Sequence, residues 1–334
     1  MKASLTLIIG VSLGLFGCSQ EKVVDFLQER DGLMYEVNQQ EGFTGRLESY
    51  WDEEKTKKKE QANYVDGKVE GLELQWHANG QQSLERTWLN GELQGLATAW
   101  HENGRKAYEG TSKNGKEDGL MTVWLENGQK YIEQNYINGK QEGLGTSWYE
   151  NGNKQLEADY KNGEQEGLKI SWYENGNKQL EANYKNKKEH GLSTLWDEDG
   201  NKESETNHKN GERDGLSIYW RKNGQKEMEL NYKNDKKDGL STWWYANGNK
   251  QTETNYKSGE KDGLEILWRE NGTKESETNY FNGKKEGLET EWLASGRKWT
   301  RNYKNDEKDG VSTFWHENGI KIFEEHYKNG KREE

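Results

Sequence analysis

Proline is absent from all 334 residues, and cysteine occurs once, at Cys18. The first absence excludes polyproline linkers and leaves the turns to Asn and Gly. The second excludes any intramolecular disulfide. Hydrophobic residues are scarce at 29%, against 32% charged, a balance that by itself drifts toward disorder. One apolar run stands out, Leu5 to Phe16, and it is too short for a membrane-spanning helix. Basic stripes are missing as well: Lys and Glu interleave and the net charge is −12, which argues against nucleic acid as a partner.

What the chain does have is periodic. Gly-Leu, three residues, then Trp recurs with the Gly at 71, 95, 119 and onward in steps of 24 to Gly287, then one step of 23 to Gly310. The Trp slots are Trp76, Trp100, Trp124, Trp148, Trp172, Trp196, Trp220, Trp244, Trp268, Trp292 and Trp315. A degenerate copy starts at Gly45 with Tyr50 in the Trp slot. A fixed period of this size means a repeat array, which overrides the two-domain prior from length and supplies the order that composition alone does not promise.

One copy, Gly143 to Glu166, shows the physics. Leu144, Thr146 and Trp148 alternate, as expected of a strand with one buried face. Asn151-Gly152 follows, and Asn-Gly is the strongest short hairpin signal. A second strand then carries Leu156, Ala158 and Tyr160 on one face, and Asn162-Gly163 with the charged residues after it reads as a longer turn. The expected fold is all-β: an elongated array of about twelve 24-residue β-hairpins, a meander or solenoid sheet over residues 45–334. With strands roughly 4.8 Å apart, about 24 of them would extend on the order of 100 Å. The repeat Trp and Tyr are expected to share one face as a core ladder. The opposite face gains Leu195, Tyr219, Trp243, Leu267 and Phe314 as a second apolar strip. Trp51, Trp88, Trp243 and Trp299 fall outside the repeat slot and are the candidates for an exposed binding surface.

Residues 1–17 have the form of a secretory signal peptide: Lys2, the apolar run, then Gly17 before Cys18. Leu15-Phe16-Gly17-Cys18 resembles the bacterial lipoprotein signal, in which the Cys becomes the acylated first residue. That resemblance makes residues 18–44 a lipidated tether and candidate N-terminal cap. It implies a lipid anchor in the bacterial cell envelope, and Ser19 after the Cys points to the outer membrane.

The closing stretch of each unit, Tyr-Lys-Asn-Gly-x-x-x-Gly-Leu (Tyr160 to Leu168, Tyr256 to Leu264), resembles the MORN repeat, specifically its bacterial variant, as does Trp-Tyr-Glu-Asn-Gly from Trp148. The resemblance covers about residues 45–334. It implies β-hairpins building extended sheets for protein contacts, and a likeness to YwqK-like antitoxins of toxin–antitoxin pairs. It supplies no catalytic residues.

Catalytic and metal signatures fail on inspection. Gly110 to Lys116 imitates a phosphate loop, but Glu117 stands where Ser or Thr must bind magnesium. Asp197-Glu-Asp199-Gly200 lacks the further ligands of a calcium loop. The six His have no zinc spacing, and the abundant carboxylates single out no pair. No enzyme activity, metal or cofactor is expected. Three functions remain. The first is a lipid-anchored envelope protein whose sheet binds or scaffolds an unknown protein. The second is an antitoxin or immunity protein facing a partner toxin. The third is glycan or cell-wall binding through the aromatic ladder, opposed by the reading of the repeat Trp as packing.

Overall fold

The computed structural model describes residues 21–334, so the signal segment 1–17 and Cys18 lie outside the described residues. Every regular element among them is a β-strand. Two compact units separate: residues 21–118 with 126–128, and residues 119–125 with 129–334. In each, the repeat strands form a meander in which consecutive strands pair antiparallel.

The second unit shows the repeat at its most regular. A leading strand, Lys140–Trp148, pairs with a return strand, Lys154–Lys161, in the register Gly143↔Tyr160, Gly145↔Ala158, Ser147↔Leu156. The return strand then pairs with the next leading strand, Glu164–Trp172, through Leu156↔Ser171 and Ala158↔Lys169. Between Ser147 and Trp148 the register shifts, and Trp148 lies opposite Lys154. Gln155 is therefore a bulge residue, one extra in the return strand.

The two turns are the reverse of the expected pair. Asn162-Gly163 is the tight one: two residues between strands, with φ of 53° and 81°. Asn there tolerates the left-handed region that a two-residue hairpin requires twice. Asn151-Gly152 sits in a five-residue loop, residues 149–153, closed by Gly152 N–H to Tyr149 O (2.9 Å) and Tyr149 N–H to Asn153 O (2.9 Å). Only its Gly has positive φ, 88°. The charged residues after Asn162-Gly163 are the start of the next leading strand, not turn.

The face assignment also differs from the sequence expectation. Paired residues share a face, so Tyr160, Ala158 and Leu156 lie with Gly143, Gly145 and Ser147. Leu144, Thr146 and Trp148 point the other way. Trp and Tyr thus occupy opposite faces, here the Trp face and the Tyr face. The most buried positions of the Tyr face form a row of small residues, among them Ala158, Ala182, Ser217 and Ser241, each at most 1% exposed. A Cβ on Gly145 in that row would approach Tyr160 Cε2 to 3.2 Å, so the ring covers it. On the Trp face the Leu slot is not core: Leu144 is 53% exposed and Leu192 45%. A single sheet has no second layer to cover that face, so alternation there does not mean burial.

The first unit adds a hydrophobic cluster. Phe43, Leu47, Ala62 and Tyr64 are buried, with Val24, Leu27, Met34 and Val69 packed on them. Val23–Val24 pairs parallel with the edge strand Gly45–Tyr50, and a small hairpin, Gln28–Arg30 with Leu33–Tyr35, sits on the Tyr face. Backbone bonds tie it down: Phe43 N–H to Met34 O, Met34 N–H to Gly67 O and Gly67 N–H to Phe43 O, each 2.8 Å. Residues 21–44 therefore pack as a cap on the first hairpins.

Candidate interaction faces and a capped cavity

The Trp face carries a ladder built from the bulge. Because Gln155 is extra, Lys154 and Glu157 share a face three residues apart and form an ion pair. The same pair recurs at Lys178–Glu181 (2.6 Å), Lys202–Glu205, Lys226–Glu229, Lys250–Glu253 and Lys274–Glu277. Apart from Lys226, each of these Lys also reaches the Trp of the next unit: Lys154 Nζ lies 5.7 Å from the Trp172 ring centre, and Lys178 lies 5.7 Å from that of Trp196. That is cation–π distance. The Glu row alternates in register with Thr or Ile, as in Thr146↔Glu157↔Ile170↔Glu181. All eleven repeat Trp are half-buried; none is fully enclosed. Outside them runs the Leu row: Leu72 and Leu96 in the first unit, and Leu120, Leu144, Leu168, Leu192, Leu216, Leu240 and Leu288 in the second, 37–54% exposed.

Successive units are stapled at the five-residue loops. At several units the residue after the Trp donates to the next Trp carbonyl: Tyr149 Oη to Trp172 O (2.8 Å), Tyr173 to Trp196 O (2.9 Å) and Arg221 to Trp244 O (2.7 Å). Asn151 Nδ2 donates to Glu174 O at 2.7 Å. Trp51 does in the first unit what Tyr149 does in the second: its Nε1 donates to Trp76 O at 2.9 Å, with Lys59 4.9 Å from its ring.

Of the four tryptophans expected at an exposed surface, Trp51 alone is mostly open, at 49%. The other three lie half-buried on the Tyr face. Trp243 stands between Met228 and Thr252 in register, with Lys237 5.7 Å from its ring. Trp299 packs on Phe314 (4.7 Å) and Phe323 (5.3 Å), continuing the strip expected from Leu195, Tyr219, Trp243, Leu267 and Phe314. Trp88 donates its Nε1 to Glu73 Oε2 at 2.6 Å.

The Tyr face holds the perturbed groups. Burial first, and neighbouring carboxylates second, push the hydroxyls of Tyr64, Tyr184 and Tyr303 up to about 12. Burial alone would raise the Glu289 carboxyl. Lys285 at 2.5 Å and Arg301 at 3.1 Å outweigh it and hold Glu289 below the usual range. Where the cap hairpin meets the first hairpins, a cavity of about 530 Å³ is lined by Glu60, Tyr64, Glu73, Arg86 and Trp88, with Met34 from the cap. Sequence reasoning missed it, because its walls come from segments tens of residues apart and its charged members look like ordinary surface. Among the described residues, no three His, Cys, Asp or Glu side chains group to hold a metal ion.

The fold defines a class first: an all-β repeat protein of stapled 24-residue hairpins. Within it, seven segments match the MORN repeat variant family: residues 117–138, 141–162, 165–186, 189–210, 213–234, 237–258 and 308–329. MORN repeats are generally non-catalytic and often serve in protein–protein interaction or scaffolding. No curated protein matches the chain. Two crystal structures, of TcdB2-TccC3-Cdc42 and of TcdB2-TccC3, align over 85% of this chain at 11% and 10% identity, with TM-scores of 0.19 and 0.18. This chain spans 18% of the length of each of those chains, and at such scores the likeness carries no weight for fold or function.

Proposed function

We propose that this chain is a non-catalytic interaction protein that docks a protein partner on its Trp face. The exposed Leu row carries the reading. In the second unit seven leucines in one slot, Leu120 to Leu240 in steps of 24 and then Leu288, contribute little to burial, yet they lie on the same face as the half-buried repeat Trp. The Lys–Glu pairs beside them neutralise one another, leaving an apolar stripe with a polar margin, the anatomy of a protein contact. The test replaces Leu144, Leu168 and Leu192 by Ser together. The expected result is an unchanged melting curve and loss of the cross-linked species that the parent chain forms in cells. Retained cross-links would remove the Leu row from the interface.

We further propose that the chain works at the bacterial envelope, anchored through Cys18 in the outer membrane. The support is the Leu15-Phe16-Gly17-Cys18 stretch after a short apolar run. Cell fractionation of the native chain and Cys18→Ala decides it. A native protein that pellets with membranes and a variant that does not would support the anchor. Both in the cytosol would refute it and make neutralisation of a cytoplasmic toxin the better reading.

A further inference from the structure

The cavity under the cap hairpin has unbalanced charge. Glu73 is 3% exposed and fully engaged: Arg86 gives it two hydrogen bonds, at 2.8 and 3.0 Å, and Trp88 Nε1 a third. Arg86 in turn lies over the Trp88 ring, 4.8 Å from its centre. Its guanidinium is therefore committed on edge and face, and an incoming anion would have to break a buried bidentate pair.

Glu60 is the opposite case. It lines the same cavity, half-buried, and no described side chain bonds or ion-pairs with it. The other charged groups that line the space are Glu29, Lys68, Glu73 and Arg86, and Lys59 is its chain neighbour. Burial first, and the Glu73 charge second, push the Glu60 carboxyl above its usual range, with Lys59 and Arg86 only partly offsetting. A half-buried carboxylate without a side-chain partner costs stability when ionised. Among the other lining groups are the apolar Met34 and Val69 and the ring of Tyr64. The space is that of a small-molecule or single-side-chain site.

We propose that this cavity binds a primary ammonium on a short apolar stem, with Glu60 as its counter-charge. The stem packs against Met34, Val69 and Tyr64, and the ammonium supplies the hydrogen bonds that Glu60 lacks. A free alkylamine and the lysine side chain of another protein share this chemistry. The site lies on the Tyr face and is independent of the Leu row.

The full chain is titrated with n-butylamine, with Nα-acetyl-lysine methylamide and with n-butanol, at constant ionic strength and pH 7. The readout is the indole N–H resonance of Trp88, assigned by its loss in Trp88→Phe. Saturable shifts with butylamine, at least tenfold weaker in Glu60→Gln, support the site; binding should also fall as pH drops through the Glu60 titration. A lysine derivative that binds as well as butylamine identifies a protein lysine as the natural occupant, and butylamine alone identifies a free amine. Butanol binding as tightly as butylamine would overturn the proposal without any variant. So would equal amine affinity in Glu60→Gln, or no saturable shift with either amine.

Discussion

Lys187 occupies a position where lysine is a poor choice. In the two-residue turns both residues have positive φ, and Asn-Gly fills most of them. Lys187 sits at φ 65°, after Asn186 at 51°, and Asp235 and Asp306 hold the same place at 62° and 71°. Cβ crowding makes the left-handed region cost roughly 1–2 kcal/mol for an ordinary L residue, less for Asp and nothing for Gly. Lys187 recovers part of this through an ion pair with Glu164 at 2.8 Å, but both side chains are more than half exposed and the pair contributes little. Lys187→Gly should therefore raise stability by about 1 kcal/mol, read as a higher urea midpoint at unchanged slope. A drop would mean that the Glu164 pair outweighs the backbone strain. This was readable from the chain alone, since Asn186-Lys187 departs from a pattern of Asn-Gly. The exposure of Leu144 was not: a strand with period two looks the same whether its apolar face meets a second layer or solvent.

The strand pairs explain the irregular step from Gly287 to Gly310. The loop after Trp292 keeps its five residues, with Leu293 N–H to Arg297 O at 2.8 Å, so nothing is missing there. The return strand Lys298–Lys304 is the short one, and it pairs with its leading strand without any register shift, as Trp292↔Lys298 and Glu291↔Trp299. The absent residue is the bulge residue, the counterpart of Gln155. Lys298 still reaches Trp315, at 5.6 Å, and Thr300 takes the Glu slot and accepts from Trp315 Nε1 at 2.9 Å. The array thus tolerates a unit without its bulge. Deleting Gln155 should keep Leu156 on the Tyr face and cost no more than about 1 kcal/mol, the scale of a weakened surface pair and cation–π contact. Deleting Glu157 instead puts Leu156 on the Trp face and should cost about 2 kcal/mol or more. Equal losses in denaturant titrations would refute this account of the bulge. The bulge had a sequence signature, since the Lys-x-x-Glu that recurs from Lys106 to Glu277 cannot share a strand face at regular pairing. Without the pairing, that spacing looks like charge decoration on a turn.

At the scale of the whole molecule, stability is distributed unevenly. Each hairpin of the second unit is held by its neighbours through register, loop staples and small residues under long side chains. It contains no cluster of buried aromatic and aliphatic groups comparable to Phe43, Leu47, Ala62 and Tyr64 in the first unit. The period made the hairpins legible, but the cap depends on contacts that no repeat encodes. Gly45 shows why: its Cα approaches Lys22 O so closely that a Cβ would lie 2.4 Å from that oxygen, and φ is 149°. Phe43 is 4% exposed and packs against the tilted ring of Tyr64 at 6.1 Å, so Phe43→Ala should cost about 3–5 kcal/mol locally. Because repeat stability sums over nearest neighbours, that loss should stay near the cap. Hydrogen exchange is expected to accelerate at Gly45–Tyr50 and Lys58–Val65 while amides of Lys154–Lys161 and Glu164–Trp172 keep their protection. The cavity beside Glu60 should open in the same variant, since its cap wall includes Met34, which packs on this cluster. Uniform acceleration along the chain would instead make the cap the nucleus on which every hairpin depends, and stability would then be a property of the whole array rather than of adjacent units.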